Sequence, residues 1–576
     1  MTRLTRIQLL TATALSAAAF YAVPASADPT APCNDGPGTL STECGTNSVA
    51  TGNFGTAVGQ LARATGVEST AVGTDSLASG TRSTALGVVS TALGVDSTAL
   101  GNRSSAAATA STAVGAGTDA TGIYSTSVGT GNTLAGSVSR PNVAAAGFST
   151  AVGNGNQIAA GATGATALGD LNTVTAAGSF GTAVGAFNNV AASSGVAIGN
   201  GNRVLAGAVN GVAIGSGSRA DARDTVALGT SAFATAANAI AIGTGSTASQ
   251  AFNVALGGLS QATGVESTAV GGDSRATGAQ STAVGVVATA SGALSSAFGN
   301  RSSASGAAST ALGTISTALG AEAVAVGADS LARDANTTAL GTVASALGAG
   351  STAVGNRASA SAVNSTALGR QSEATGVSSV ALGRGAVASD EDAVAVGDLA
   401  VASGFHSTAV GGEAVASGRG AQAFGWQSAA TGELSLASGH QARATGVQAT
   451  AIGKNALASA ANSTALGFGA TAAFANSTAI GTGAATTAAN QVTVGGAGSS
   501  VRFGGYTTPG VLVNDANGVI TSNTTLIPQV ATNTTAIAAI QGVNATQTTQ
   551  ITALQTLTAA QGTAITGLQG NVTALQ

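Results

Sequence analysis

The sequence predicts a mainly β protein, a parallel solenoid of 14-residue coils that gives way to a short β connector and a parallel coiled coil. Three observations carry this. The phrase Ser-Thr-Ala-Val/Leu-Gly recurs at multiples of seven residues, and its glycine frame stays in register from Gly257 to Gly495. Residues 273–278 and 280–285 show that each unit has two halves built on Ser-x-Ala-x-Gly, so the true period is 14. From Val530 the apolar spacing changes to a helical heptad. A fixed period repeats one piece of geometry, and the protein is built by stacking it.

Alternation over five residues suits a strand, whose side chains point to opposite faces, and the intervening Gly and small polar residues suit tight turns. A coiled coil through the repeats is disfavoured, because Gly at nearly every seventh position costs about 1 kcal/mol per residue against Ala in a helix. Ser, Ala and Gly of both halves are expected on one face, the inside of a flattened coil. Outward positions differ between the halves. One half presents Thr with Val72, Leu86, Val270, Val284, Leu312, Leu368, Val410, Ile452, Leu466 and Ile480; the other presents Arg275 and Thr277, Glu373 and Thr375, or Arg443 and Thr445. An apolar stripe as long as the rod would find a partner. An interior of Ala, Ser and Gly buries little apolar area, so self-association along the stripe is expected.

Residues 1–27 read as an export signal: Arg3 and Arg6, an apolar run from Leu9 to Val23, then Ala25-Ser26-Ala27 as cleavage site. No later stretch reaches the roughly 18 apolar residues of a transmembrane helix. Residues 28–51 are expected to cap the solenoid, and Cys33 and Cys44, the two cysteines, to form a disulfide, since no His lies nearby for a metal site. Residues 52–495 carry the repeats. Between Gly129 and Gly153 the spacing is 24, which reads as a loop around residues 137–142; spacings of 16 at Gly153–Gly169, Gly169–Gly185 and Gly199–Gly215 are expected to decorate the outside. Some 30 coils at about 4.8 Å give a rod on the order of 145 Å long.

Residues 496–525 form the connector, where Asn517-Gly518 between β-branched runs signals a hairpin. Residues 526–576 begin the stalk. Val530, Ile537, Ile540, Ile551, Leu554, Ile565, Leu568, Val572 and Leu575 occupy its a and d positions together with polar layers at Asn533, Asn544, Gln547 and Gln561. Those layers cost stability and fix register, and Ile at a with Leu at d does not by itself specify a trimer.

Signal, β-roll, connector and polar-layered coiled coil, in that order, resemble the trimeric autotransporter adhesins, the family of YadA. Four repeat copies show the likeness: residues 364–369, 462–467 and 476–481 read Asn-Ser-Thr-Ala-Leu/Ile-Gly, and residues 194–199 read Ser-Gly-Val-Ala-Ile-Gly. The resemblance implies a left-handed parallel β-roll head associated as a homotrimer, exposed at the cell surface or outer membrane, holding host matrix proteins, host cells or neighbouring cells, with self-aggregation or biofilm formation and virulence as consequences. Residues 530–534 resemble the family's stalk motif, which makes Asn533 an anion (chloride) ligand with Thr534 behind it; the polar-layer reading of Asn533 binds nothing. No clear copy of the family's neck follows the head, and no membrane anchor follows Gln576, so a truncated or a secreted product is expected.

Charged residues make up 7% of the chain, with two His, His406 and His440, and one Lys, Lys454. Neither His has a Ser or Cys partner at motif spacing, so no enzyme and no cofactor are expected. Gly495-Gly496-Ala497-Gly498 lacks the Asp of calcium-binding rolls, and Asp390-Glu391-Asp392 reads as a solvated turn. A net charge of −4 with scattered Arg gives no support to nucleic-acid binding. Phe405, Phe424, Trp426 and Phe468 read as turn packing. Two other functions compete: an ice- or abiotic-surface-binding solenoid with Thr268, Thr282, Thr310 and Thr408 in rows, and a phage tail fibre, against which the signal peptide argues.

Overall fold

One coil explains the rest. In residues 271–285, Ser274 N–H donates to Gly271 O across 3.4 Å and Ser281 N–H to Gly278 O across 3.3 Å, closing two turns. Asp273 and Gln280, the third residues of these turns, both have φ of 54°, the left-handed value that a type II turn needs at that position. The inward hydroxyls serve the same turns: Ser274 Oγ donates to Gly271 O (3.0 Å) and Ser281 Oγ to Gly278 O (2.7 Å). Two short strands, Arg275–Ala276 and Thr282–Val284, join the turns.

Coils are tied to one another through the backbone. Arg275 N–H donates to Ala288 O, Thr277 to Ala290 O and Thr282 to Ser295 O, while Gly285 donates back to Val270 O, and the turn residue Gln280 to Val265 O, all at 2.7–2.9 Å. Each coil thus satisfies its neighbour's polar main chain, which an Ala interior could not do.

The structure is a computed structural model that describes residues 33–130, 142–502, 511–514, 517 and 519–576. The expected export signal, most of the loop at residues 137–142 and Gly518 lie outside these residues. Stacking gives a parallel solenoid of about 32 turns. Its first sheet has 33 strands and holds the three-residue segments, Thr268↔Thr282 and Val270↔Val284 in register; its second has 30 strands, two residues each in most coils, from Val49–Ala50 to Thr471–Ala472. The core between them is a row of Ala, Ala269, Ala276, Ala283 and Ala290 among them, at 0% exposure.

One expectation needs correction. The glycine that closes Ser-Thr-Ala-Val-Gly does not point inward. Gly271 sits at a corner with φ of 125°, and a Cβ there would stand 2.5 Å from the carbonyl oxygen of Gly285 in the next coil. Only a residue without Cβ allows coils to stack that closely. The two extra residues of each 16-residue spacing, such as Ala176 and Ala177, are exposed, so the insertions decorate the outside as expected. In this stretch, including the 14-residue coil between Gly185 and Gly199, the first-sheet strands lengthen to five residues, as in Thr166–Asp170, and the core residues are larger. Ile158, Val174, Val190 and Val204 replace core Ala, and Gly195 stands opposite Val204, whose Cγ1 lies 2.9 Å from where a Cβ of Gly195 would be.

The same coils carry a buried ladder of Asn156, Asn172, Asn188 and Asn202. Asn172 Nδ2 donates to Gly185 O (2.7 Å) and Asn156 Oδ1 (2.9 Å), while its own Oδ1 accepts from Asn188 N–H (3.1 Å) and Nδ2 (2.9 Å). Buried amides are tolerated because both ends of each side chain are paired.

At the N-terminal end β1 (Asn34–Asp35) runs antiparallel to β2 (Thr42–Cys44), and a disulfide joins Cys33 to Cys44. Glu43 stands in register with core Ala57, and its Oε1 accepts the Ala50 N–H. An inward charge and a reversed strand blunt the open edge. Towards the C-terminus Val511–Asn514 and Ile520–Asn523 pair antiparallel, and helix α1 spans Leu526–Ala574. Asn523 Oδ1 accepts from Thr525 N–H (3.0 Å) and Leu526 N–H (3.1 Å), fixing where α1 starts.

Candidate adhesive surfaces

Alternation along each three-residue strand buries Ala and turns its neighbours out. In Thr310–Leu312 the first residue is half-buried, Ala311 is buried and Leu312 is 48% exposed. Leu86, Leu368, Ile452, Leu466 and Ile480 are likewise exposed, and Val72, Val270, Val284 and Val410 are half-buried. Register makes them one row: Val270↔Val284, Val354↔Leu368, Ile452↔Leu466 and Leu466↔Ile480. Phe298 and Phe424 continue it as larger members, and Ser438 interrupts it between Phe424 and Ile452.

The second sheet and the turns present polar ladders spaced one coil apart. Arg82 Nε and Nη2 donate to Asp96 at 2.5 and 2.8 Å, and Arg384 grips Asp398 in the same way. The guanidinium of Arg82 holds the Asp96 carboxyl below its usual range, chiefly by this hydrogen bond, and Arg384 does so for Asp398. Asn462 donates to Asn476 and Asn476 to Asn490, and Gln280 to Glu266. Among the described residues Asp119 has no such cation; burial pushes its carboxyl up.

The histidines are less simple than solvated turn residues. His406 lies 3.4 Å from Asp392 and stacks on Phe405, over which Arg419 sits at 5.1 Å. His440 stacks under Trp426 at 4.7 Å, with Nδ1 buried and without a hydrogen-bond partner. Among the described residues no group of three His, Cys, Asp or Glu could hold a metal ion. Nor is any helix among them long and apolar enough to cross a membrane.

In α1 no residue is buried: Val530, Ile537, Ile540, Ile551, Leu554, Ile565, Leu568 and Val572 are 55–63% exposed, and Leu575 follows the last turn at 89%. Asn533 faces outward, and Thr534 Oγ1 donates to Val530 O at 2.8 Å.

Sequence reasoning missed a row of aromatics at one turn: Tyr124 and Phe148 stack at 5.2 Å, and the ring of Phe180 lies over Gly164. Its signal was available as Phe or Tyr at the third turn position of neighbouring coils.

A family model described as the YadA head domain repeat (2 copies) matches the chain in three segments between residues 45 and 118 and in ten between 206 and 484. The unmatched stretch, 119–205, holds most of the wide coils and the Asn ladder. No curated protein gives a significant match. The matched segments cover more than half of the chain and coincide with the 14-residue coils, so the chain belongs to the YadA head-repeat family, the heads of YadA-like trimeric autotransporter adhesins.

Proposed function

We propose that this chain is an exported cell-surface adhesin whose left-handed β-roll head and coiled-coil stalk assemble as a homotrimer and hold host matrix, host cells or neighbouring cells. Its family supports a surface-adhesin type of function. The observation that carries the assembly is the outward row of Val, Leu, Ile and Phe along the first sheet, interrupted at Ser438, together with a 49-residue helix that buries nothing of its own. Covering a half-exposed Val or Leu contributes roughly 1 kcal/mol, and over some 30 coils this exceeds an association cost of about 4–15 kcal/mol. Weak contacts on each repeat, multiplied by three chains and many copies, then supply avidity. In this reading the a and d residues from Val530 to Leu575 meet in the stalk core, Asn533 holds a chloride on its axis, and the protein performs no catalysis.

Sedimentation equilibrium on the mature chain, residues 28–576, tests the assembly. A trimer is expected; a soluble monomer would sink it. One observation favours a second reading, an ice- or abiotic-surface-binding solenoid: Thr338, Thr352 and Thr366 stand in register as an outward hydroxyl row. Thermal hysteresis in dilute solution would support that reading, and its absence would dismiss it.

A further inference from the structure

We propose that the turn edge formed by Tyr124, Phe148 and Phe180 is a contact patch for a broad, uncharged hydrocarbon surface. The proposal rests on the adhesin reading and names the kind of surface that one segment of the head takes.

The three residues occupy the third position of the same turn within four successive coils, and φ of 56–57° swings each side chain away from the core. Backbone bonds fix the row: Phe148 N–H donates to Ile123 O and Phe180 N–H to Thr163 O, both at 2.8 Å, while Gly164 N–H donates to Gly147 O at 3.0 Å. Tyr124 and Phe148 stack at 5.2 Å with 16° between planes. Gly164 stands in the row between Phe148 and Phe180, and a Cβ there would lie 2.8 Å from Phe180 Cδ1, so the missing side chain is the floor on which that ring rests. The rings stay 56%, 64% and 67% exposed, beside Ile123 at 53%, in a chain with 3% aromatic residues. Contiguous exposed apolar area of this kind marks an interaction site.

Charge and ring geometry select the partner. Glu68, Arg82 and Asp96 lie on this edge before the patch, and Arg223 and Asp224 after it. Between them the described turn positions, from Thr109 and Ala110 to Val209 and Asn210, carry no charge. Phosphate, acidic peptide and anionic head group therefore find no counter-charge at the described turn positions. Tyr124 and Phe148 turn one face of each ring to the other, which leaves less flat face on which a sugar would stack. A neutral, apolar row fits a hydrocarbon surface. The patch lies within the stretch that the family's repeat does not match, so it belongs to this chain's individual part.

The test is adsorption of the purified full chain to octadecyl-coated silica beads, with hydroxyl-coated beads as baseline. The Tyr124→Ser/Phe148→Ser/Phe180→Ser variant should fold, since Ser194 and Ser378 already hold this backbone at φ of 54° and 55°. It should lose at least about tenfold in affinity, with binding of the parent insensitive to salt, as expected for burial of apolar area. Phe180→Ser alone should give an intermediate loss. Phe54→Ser/Phe252→Ser, at solitary rings on the same edge, should bind as the parent does. Equal binding by the triple variant overturns the patch, as does a changed oligomeric mass, which would place the edge between copies. If the parent promotes cell adhesion when displayed yet ignores the beads, the patch fails and the adhesin reading stands. Bead binding without any adhesion on display would overturn that reading and keep the patch.

Discussion

At the scale of the residue, adjacent glycines in one turn have opposite tolerance. Gly271 combines φ of 125° with a neighbouring carbonyl where its Cβ would go, whereas a Cβ on Gly272 meets nothing within 4 Å. Gly271→Ala should cost about 1–3 kcal/mol in the local stability of its coil, and Gly272→Ala little, as read by amide hydrogen exchange in residues 257–299. Ionisable residues differ in sign as well. The raised pKa of Asp119 means that the folded chain prefers the protonated form, so its contribution is full below the ordinary aspartate value of about 3.9 and is lost as pH rises through the folded value. Asp119→Asn should therefore slow exchange around residues 118–121 at pH 7 and change nothing at pH 3. Asp96 and Asp398 behave oppositely: their lowered values mean that stabilisation by Arg82 and Arg384 is present above about 3.9 and fades as pH falls through the folded values. The glycine positions were legible in the sequence as a frame; which of two neighbours bears the constraint was not, because that depends on the coil 14 residues away.

At the scale of the element, the coil is held by main-chain bonds to its neighbours, and the wide coils add a side-chain ladder inside. Removing one rung leaves its partners buried and unpaired. Asn172→Ala deprives Asn188 N–H and Gly185 O of their bonds to the amide, at about 1–3 kcal/mol for each buried group left without one. Exchange should accelerate across residues 156–202 and stay unchanged beyond residue 260, since solenoid coils feel only nearby neighbours. If the acceleration spread through the whole rod, the ladder would be a global rather than a local fastener. The extra residues were visible as spacings of 16 and as outward insertions, but the buried ladder beside them was not. Spacing counts residues along the chain, and only packing shows that Val204 fills the interior against Gly195 while the extra residues Ala206 and Gly207 stay exposed.

At the scale of the whole molecule, one chain leaves its first sheet and its helix apolar and uncovered. Charge placed in the stripe should act on assembly and leave the coil intact, because these side chains point away from the Ala core. Leu312→Glu with Leu368→Glu should shift the sedimenting species of the full chain towards monomer while its β circular dichroism is retained. Unchanged mass would mean that the stripe is not an interface. The sequence by itself determined the period, the strand and turn positions, the outward Val and Leu, and the site of the helix, because each follows from local alternation, turn chemistry and heptad spacing within a few residues. Only the tertiary structure decided where the glycine frame points, how the wide coils fill, which carboxylates find a cation, and that Tyr124, Phe148 and Phe180 form one edge. Those facts depend on contacts between coils 14 or more residues apart, and periodic sequence leaves such contacts open until the stack is built.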